Sequence, residues 1–254
     1  MQGYEGSTYG DRFADVYDEW YPDGPDTAAA VAALGVIAAA VAGGPGSAGR
    51  VLELGVGTGR LALPLAAAGL IVTGLDASVA MLERLAAKSA GPRIDAVHGD
   101  MAGPMPDGPF AVVVIARNTF FNLTTHDAQQ RCLTEVRRVL APGGRLVLEA
   151  FVPDDRSDTR SSVEVRDIGA DRVVLFVDRH DPTTQEAWSS FVELTPGRTT
   201  FRPCHVLYRR PDQLDAMAIA AGLRLHERWS NWTGDHFDDG SSAHVSIYEP
   251  DVAP

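Results

Sequence analysis

Residues 51–59 read Val51-Leu52-Glu53-Leu54-Gly55-Val56-Gly57-Thr58-Gly59. A β-rich apolar run passes here into three glycines at alternate positions, and a segment of helical character follows from Leu61 to Ala68. Glycine adopts backbone angles that a Cβ penalises, and it lets the chain approach a bound molecule closely. A helix after such a loop points its free N–H groups at whatever lies above the loop. The stretch therefore predicts a strand, a loop that binds a nucleotide-like ligand, and a helix.

The spacing of the glycines separates two kinds of nucleotide site. A dinucleotide site has the pattern G-x-G-x-x-G, whose third glycine permits close packing of the helix on the strand. Here Gly59 comes one position early, and Arg60 stands in the expected place. Asp76 ends the next apolar run, where an acid can hold two ribose hydroxyls. The pattern disfavours a nicotinamide or flavin site, although a nicotinamide-dependent oxidoreductase on a similar sheet stays the alternative.

Four short motifs occur in register along the chain. They are Glu53-Leu54-Gly55-Val56-Gly57-Thr58-Gly59, Leu75-Asp76-Ala77-Ser78, Gly99-Asp100-Met101 and Ala141-Pro142-Gly143-Gly144. Together they resemble the class I methyltransferases that use S-adenosylmethionine, and the resemblance extends over residues 48–152. A non-catalytic protein that retains the cofactor pocket remains a second alternative.

The resemblance implies a set of cofactor contacts. The glycine loop would accommodate the methionine part of the cofactor, Asp76 would bind the ribose, and Asp100 would bond the adenine amino group. The full set of expected cofactor-binding residues is Tyr9, Tyr17, Glu53, Gly55, Gly57, Thr58, Gly59, Asp76, Ala77, Met81, Asp100, Met101 and Ala116. Met81 could equally be a core residue. No metal is expected, since methyl transfer from a sulfonium needs none.

An aromatic segment precedes the glycine loop. Four aromatic side chains recur at helical spacing: Tyr9, Phe13, Tyr17 and Trp20. An amphipathic helix that buries this stripe is one interpretation. The resemblance implies instead a lid over the cofactor, in which the hydroxyls of Tyr9 and Tyr17 reach the cofactor or the acceptor and Tyr21 touches the acceptor.

Candidate acceptor-side residues follow the fourth predicted strand. Asn118 and Asn122 could orient an acceptor, while Phe120 and Phe121 could line its pocket. For each of them, packing within the loop is an equally good interpretation. An ammonium acceptor must lose a proton before attack. The expected catalytic residues are therefore Tyr9, Tyr17, Asn122 and, as a candidate base, His205.

Strands and helices alternate from Arg50 to Val152, which predicts an α/β fold. We expect a Rossmann-like, doubly wound, mostly parallel sheet of seven strands, with an N-terminal helical lid and an inserted antiparallel β-sheet. The expected organisation is as follows: residues 1–45, lid; 46–152, cofactor-binding core; 153–210, inserted sheet; 211–254, a helix and strands that complete the core sheet. The insertion resembles that of N-methyltransferases acting on nucleotide-linked amino sugars and of related antibiotic-tailoring enzymes.

Composition limits the partners. A formal net charge of −12 disfavours a nucleic-acid partner, because nucleic-acid binding needs a basic face. Two cysteines without C-x-x-C spacing indicate free thiols in a reducing compartment, and the first residues do not resemble a signal peptide. We expect a cytoplasmic enzyme without nucleic-acid or membrane partners, with homodimerisation open. Its acceptor would be a small molecule methylated on N or O, with an amino sugar or another natural-product intermediate favoured.

Overall fold

The computed structural model describes residues 3–41, 49–88, 94–154 and 158–251. Within these ranges the helices are α1 (Thr8–Phe13), α2 (Tyr17–Trp20), α3 (Pro25–Val41), α4 (Ala62–Ala67), α5 (Val79–Lys88), α6 (His126–Val139) and α7 (Pro211–Ala220), with a short 3-10 helix at Thr119–Asn122. The strands are β1 (Arg50–Leu54), β2 (Ile71–Asp76), β3 (Asp95–His98), β4 (Phe110–Ile115), β5 (Leu140–Phe151), β6 (Arg160–Ile168), β7 (Val173–Asp181), β8 (Glu186–Thr195), β9 (Arg198–Leu207), β10 (Leu223–Trp229) and β11 (Ala243–Pro250).

The central sheet has the strand order β10-β11-β5-β4-β1-β2-β3. β11 runs antiparallel to both of its neighbours, and the other neighbouring pairs are parallel. A separate antiparallel sheet has the order β6-β7-β8-β9 and lies between β5 and α7 in the chain. The expected α/β class, the seven-stranded mostly parallel sheet and the antiparallel insertion are thereby confirmed.

The core lies on both faces of the central sheet. Every residue of β4 is buried, as expected for a central parallel strand covered by helices on both sides. On β1, Leu52 and Leu54 join a cluster with α6 and α7, whereas Val51 joins a cluster with α3 and α4. Because side chains alternate along a strand, Glu53 is turned toward the α3 and α4 face. A carboxylate is thus placed inside an apolar layer.

Strand order positions the ligand crevice. The chain winds from β1 outward to β2 and β3 on one side, and through β4 and β5 on the other. In open α/β sheets, ligands bind beyond the carboxyl ends of the strands at this switch point. The carboxyl ends of β1, β2 and β3 carry the glycine loop, Asp76 and Asp100, respectively.

The N-terminal aromatic segment differs from one continuous helix. α1 ends at Phe13 and α2 begins at Tyr17, with Ala14, Asp15 and Val16 between them. The break coincides with tertiary packing, because the Phe13 ring contacts Tyr9 at a centroid distance of 4.4 Å and Phe191 of the inserted sheet at 5.8 Å. Helical periodicity alone could not show that this stripe packs against a second sheet.

Two further boundaries concern the strand β5 and the end of the lid. The apolar run from Leu146 to Phe151 predicts a strand that begins at Leu146, but β5 begins six residues earlier because Leu140 pairs with Phe110 of β4. The proposed boundary between residues 45 and 46 lies outside the described residues. Among the described residues, no helix has the length and apolar content needed to cross a membrane.

Candidate active site

The glycine loop has the backbone geometry that its sequence predicts. Gly55 has φ +72°, and a Cβ there would lie 2.3 Å from Thr119 Cγ2. Gly59 has φ +89°, and a Cβ there would lie 2.4 Å from Leu85 Cδ1 of α5. The absence of a Cβ on Gly55 therefore lets the loop after β4 approach the glycine loop, and its absence on Gly59 lets α5 pack against the glycine loop.

Asp76 is tied to the glycine loop by two backbone amides. Gly57 N donates to Oδ2 at 2.7 Å, and Ser78 N donates to Oδ1 at 2.8 Å. Burial raises the pKa of Asp76, while these two amides oppose that rise by stabilising the carboxylate. Both oxygens are held at fixed positions and each retains a lone pair, which is the arrangement that a vicinal diol would use.

A cavity lies above this loop at the carboxyl edge of the sheet. Its walls combine the lid, the glycine loop and the ends of β2 and β3, and its lining residues are Gly6, Tyr9, Gly10, Tyr17, Gly55, Gly57, Leu75, Asp76, Ala77, Met81, Gly99, Asp100, Met101, Thr119, Asn122 and Leu123. Asp100 Oδ1 accepts a hydrogen bond of 2.8 Å from Ala102 N, which fixes that carboxylate at one end. We call this space the cofactor cavity.

Three tyrosines of the lid gather beside the cofactor cavity. Tyr9 and Tyr17 line it, and the Tyr9 hydroxyl donates a hydrogen bond to that of Tyr21. The Tyr17 and Tyr21 rings lie 5.1 Å apart. Burial raises the pKa of all three phenols. They are therefore protonated at neutral pH and act as hydrogen-bonding groups rather than as strong bases.

Glu53 lies behind the glycine loop and is fully buried. Burial raises its pKa from 4.5 to about 8, and Asp76 adds to the rise while Arg60 opposes it. The amide of Ala62 bonds this carboxyl, but Oε2 has no hydrogen-bond partner among the described residues. An unpaired buried oxygen is costly, so its retention beside a ligand loop is consistent with a ligand donor.

A second cavity, of about 350 Å³, lies between α2 and the inner face of the inserted sheet. Its lining residues are Glu19, Trp20, Tyr21, Arg166, Asp167, Arg172, Val174 and Phe191. The Trp20 and Phe191 rings lie 5.1 Å apart, and the Arg166 guanidinium lies 5.9 Å from the Phe191 centroid. Tyr21 links the two cavities, because it lines this one and bonds Tyr9 of the other. We call this space the sheet cavity.

Most of the expected site residues lie on these walls. Nine expected cofactor contacts line the cofactor cavity: Tyr9, Tyr17, Gly55, Gly57, Asp76, Ala77, Met81, Asp100 and Met101. Asn122 lines the same cavity, and Tyr21 lines the sheet cavity. Sequence motifs on separate strands thus meet at one edge because the strands are parallel.

Other expected residues have different surroundings. Phe120 and Phe121 are fully buried in the core with 0% exposure, so the structure supports the loop-packing interpretation for both. Asn118 Oδ1 accepts a hydrogen bond of 2.7 Å from Phe151 N, which anchors the loop to β5. Ala116 is a core residue on the α3 and α4 side of the sheet. Thr58 donates its hydroxyl to Asp18 of the lid at 2.6 Å, and Gly59 serves helix packing.

His205 does not line either cavity. Its Nε2 lies 3.0 Å from Glu186 Oε1, and its ring lies between Trp188, at a centroid distance of 5.5 Å, and Tyr4, at 5.7 Å. Burial lowers the pKa of His205, although the bond to Glu186 opposes that shift. Arg202 of the same strand contacts α2 through Trp20, and because side chains alternate along β9, His205 lies on the opposite face of the sheet from these helices, which a single sequence could not reveal.

Several cavity residues were not expected from the sequence. Thr119 lines the cofactor cavity. The sequence predicted a role for the loop after β4 that contains Thr119, but not for the Thr119 side chain. Gly10 lines the cavity because α1 lies so close to Ser78 that a Cβ on Gly10 would be 2.4 Å from Ser78 Cβ. A lone glycine within an aromatic stripe is a usable signal of such close approach.

The residues present fit a nucleoside cofactor with an amino-acid tail. Asp76 offers two oriented oxygens for ribose, Asp100 offers a carboxylate oxygen for an exocyclic amine, and Gly57, where a Cβ would have its nearest neighbours at 4.0 Å, leaves room for close backbone approach. The unpaired Oε2 of Glu53 lies two residues before Gly55. The fold and the site together define an α/β enzyme that binds a nucleoside cofactor beneath an aromatic lid.

Comparison with known proteins specifies this class. Residues 51–144 match a family model described as a methyltransferase domain. The chain is 30% identical over 203 residues to the cypemycin N-terminal methyltransferase of a Streptomyces species, covering 78% of this chain and 82% of that relative. The chain belongs to the S-adenosylmethionine-dependent methyltransferases, and its cofactor is S-adenosylmethionine.

Solved structures extend the similarity to the lid and the inserted sheet. The CcbJ methyltransferase from Streptomyces caelestis is 38% identical, with a TM-score of 0.85 over 98% of this chain and 100% of that chain. The S-adenosylmethionine-bound CalS10, an amino pentose methyltransferase from Micromonospora echinaspora, shares the fold at 24% identity, with a TM-score of 0.65 over 92% of this chain and 96% of that chain.

Proposed function

We propose that this enzyme methylates a nitrogen atom of a small natural-product intermediate, and that the sheet cavity holds the acceptor. The observation that carries the proposal is the position of Tyr21, which lines the sheet cavity and bonds Tyr9 on the wall of the cofactor cavity. An acceptor in the sheet cavity would then be joined to the wall of the cofactor cavity through the bonded pair Tyr21 and Tyr9.

The lining of the sheet cavity suits a small polar molecule with an apolar face. Its volume of about 350 Å³ is within the range of roughly 300–1,000 Å³ typical of small-molecule pockets. Trp20 and Phe191 supply apolar ring surface, while Glu19, Tyr21 and Arg166 supply charge and hydrogen bonds. A sugar or a saturated heterocycle presents this combination of C–H faces and polar edges.

Nitrogen is favoured over oxygen by the absence of a strong base from these walls. Among the described lining residues, the phenols are protonated and neither cavity contains histidine. An alcohol must lose a proton during attack, whereas an amine that arrives neutral already has a free lone pair. Two similar proteins also bear names that specify nitrogen or amino sugars: the cypemycin N-terminal methyltransferase and the amino pentose methyltransferase CalS10.

The transfer itself needs alignment more than acid or base chemistry. The bound cofactor supplies an electrophilic methyl group on sulfur for an in-line displacement. The acceptor nitrogen forms the new C–N bond as the S–CH₃ bond breaks, the electron pair stays on sulfur, and the nitrogen then releases a proton to solvent. Tyr9, Tyr17 and Asn122 would hold the nucleophile in line, and the lid would exclude water from the reaction.

A direct test is a methyl-transfer screen with isotopically labelled S-adenosylmethionine. The panel pairs amino sugars and secondary cyclic amines with the corresponding alcohols, and mass spectrometry identifies the methylated atom. We expect label transfer to amines and none to the matched alcohols. Transfer to alcohols alone would overturn the choice of nitrogen. Tight binding of S-adenosylhomocysteine without turnover of any small acceptor would overturn the small-molecule assignment.

A matched pair of variants tests the acceptor site. Phe191→Ala removes a ring from the sheet cavity, whereas Phe201→Ala removes an exposed ring from the next strand, outside that cavity. We expect Phe191→Ala to raise the KM for the acceptor at least about tenfold, with cofactor affinity retained, and Phe201→Ala to leave both unchanged. Equal effects of the two substitutions would contradict the placement of the acceptor.

A further inference from the structure

The two short helices of the lid and their flanks (residues 8–21) are bonded to the cofactor-binding core by two carboxylates. Asp11 Oδ1 accepts the Ser78 hydroxyl at 2.6 Å, directly after β2. Asp18 Oδ1 accepts the Thr58 hydroxyl at 2.6 Å, and Lys88 lies 2.7 Å from the same carboxylate. Both contacts are on segments that flank the cofactor cavity.

A third carboxylate bonds the lid to the inserted sheet. Asp15 Oδ2 lies 2.8 Å from Nη2 of Arg202 on β9, across 187 residues of sequence. The Arg202 side chain is only 3% exposed, its Nη1 lies 2.9 Å from Glu193 Oε2, and its guanidinium lies 5.2 Å from the centroid of the Trp20 ring. Arg202 therefore holds both a carboxylate and an aromatic ring of the lid.

The position of Asp15 in the lid gives this contact a consequence for the site. Asp15 lies in the three-residue joint between α1, which carries Tyr9, and α2, which is followed by Tyr21. The Tyr9 and Tyr21 hydroxyls bond each other across that joint. We propose that Arg202 is a positioning residue for methyl transfer, which fixes the angle between α1 and α2 and thereby holds Tyr9 and Tyr21 at the boundary of the two cavities.

The proposal includes movement of the lid. The cofactor cavity, at about 90 Å³, is smaller than the roughly 300–1,000 Å³ of typical ligand pockets, and the lid forms one of its walls, so we infer that the lid shifts outward when the cofactor enters. The Arg202 guanidinium is buried and has fixed partners, so it returns the joint between α1 and α2 to one geometry after each opening of the lid. Its planar N–H groups form good hydrogen bonds only within a narrow range of partner positions. The catalytic consequence rests on the proposed function; the bond between the lid and the sheet does not.

The test compares Arg202→Gln and Asp15→Asn with the control Arg160→Gln. Arg160 is an arginine of the same inserted sheet that bonds Asp154 at 2.8 Å, and it is not among the residues that line either cavity. Arg202→Gln leaves Glu193 paired with Arg172, so the inserted sheet keeps one of its ion pairs. If Arg202→Gln fails to fold, Asp15→Asn weakens the same contact from its exposed end by removing the negative charge.

Two readouts need no acceptor. Hydrogen exchange of the peptide spanning residues 8–21 should be about tenfold faster in Arg202→Gln and Asp15→Asn than in the parent enzyme, whereas Arg160→Gln should match the parent. Dissociation of S-adenosylhomocysteine, followed by stopped-flow fluorescence, should accelerate in the same two variants. The double variant should be no worse than Arg202→Gln alone, because both substitutions break one contact.

With an acceptor identified, Arg202→Gln should lower kcat more than it raises the KM for S-adenosylmethionine, since misaligned tyrosines affect the transfer step. Hydrogen exchange of the lid and product release that are equal in Arg202→Gln and Arg160→Gln would overturn the inference, and so would fully additive effects in the double variant. These results are independent of the acceptor screen, so a failed screen with a confirmed lid contact would contradict the proposed function alone.

Discussion

The backbone amide of Gly57 donates a hydrogen bond of 2.7 Å to Asp76 Oδ2, which makes the glycine loop and the carboxylate at the end of β2 one structural unit. The same carboxylate accepts the amide of Ser78, so its orientation is set before any ligand is bound. Preorganisation of this kind lowers the ordering cost of binding. It also means that removal of Asp76 affects both the ligand contact and the loop.

Asp76→Ala should weaken the binding of S-adenosylhomocysteine. A lost hydrogen bond to a charged group costs about 1.5–3 kcal/mol, and a ribose offers two of them. Titration calorimetry measures the effect, with Asp95→Ala, at the opposite end of the neighbouring strand β3, as the control. Unchanged affinity in Asp76→Ala would show that this carboxylate does not hold the ribose.

Gly55→Ala should destabilise the enzyme more than Gly143→Ala. Both glycines have φ +72°, but a Cβ on Gly55 would lie 2.3 Å from Thr119 Cγ2, whereas a Cβ on Gly143 has nothing within 4 Å. The left-handed backbone alone costs about 1–2 kcal/mol. Urea unfolding should therefore show that cost for Gly143→Ala and a larger one for Gly55→Ala, with reduced cofactor affinity only at Gly55. Equal losses would mean that Thr119 moves away freely.

Glu53→Gln should stabilise the free enzyme at neutral and mildly alkaline pH. Burial raises the pKa of Glu53 from 4.5 to about 8, and Arg60, Asp76, Tyr17 and the Ala62 amide are the groups that face it. Between those two values the unfolded chain loses this proton while the folded chain keeps it. The contribution of Glu53 to stability therefore falls as pH rises through that range.

At pH 7 the penalty that Gln removes is on the order of 3 kcal/mol, at about 1.4 kcal/mol per unit of pKa shift. Urea unfolding at pH 4.5 and pH 8 should show little difference from the parent at the lower pH and a gain at the higher one. Glu164→Gln, at an exposed position on β6, is the control. A gain that is the same at both pH values would argue against a raised pKa.

Asn118→Ala should reduce mainly stability, whereas Asn122→Ala should reduce mainly turnover. Asn118 has φ +63° and bonds Phe151 N, so its loss should cost roughly 2 kcal/mol of stability through backbone strain and an unpaired amide. Asn122 lines the cofactor cavity, so Asn122→Ala should reduce turnover with stability within about 0.5 kcal/mol of the parent. Thermal unfolding and initial rates separate the two; a stable, inactive Asn118→Ala would reverse the assignment.

The pH dependence of kcat/KM should follow the acceptor rather than the enzyme. The cavity phenols remain protonated because burial raises their pKa values, so the reacting amine has to lose its proton in solution. Rates should rise with pH up to the pKa of the acceptor amine, and two acceptors of different basicity should give two different inflections. An inflection that stays fixed for both, and disappears in His205→Gln, would instead identify His205 as the base.

The fold followed closely from local sequence. Alternating apolar runs and helical segments between Arg50 and Val152 required a parallel sheet, and parallel strands necessarily bring their carboxyl ends to one edge. Gly55, Gly57, Asp76 and Asp100 could therefore be expected at one cavity from the sequence alone. The β-rich stretch after residue 153 likewise indicated an antiparallel insertion.

The acceptor side did not follow from the sequence, because side chains there are placed by contacts between distant segments. Phe120 and Phe121 resemble pocket residues in the loop, but the core takes both rings. His205 resembles a candidate base, but the pleat of β9 and the bond to Glu186 turn it away from the cavities.

The glycines and strand-end carboxylates of the chain determined by themselves that it binds a nucleoside cofactor, since backbone geometry and strand direction are local properties. Tertiary structure alone decided how the lid meets the inserted sheet. Asp15 and Arg202 are 187 residues apart and lie 2.8 Å from each other only because two separate sheets bring them together. No periodicity or motif encodes such a contact, as it depends on how whole elements pack.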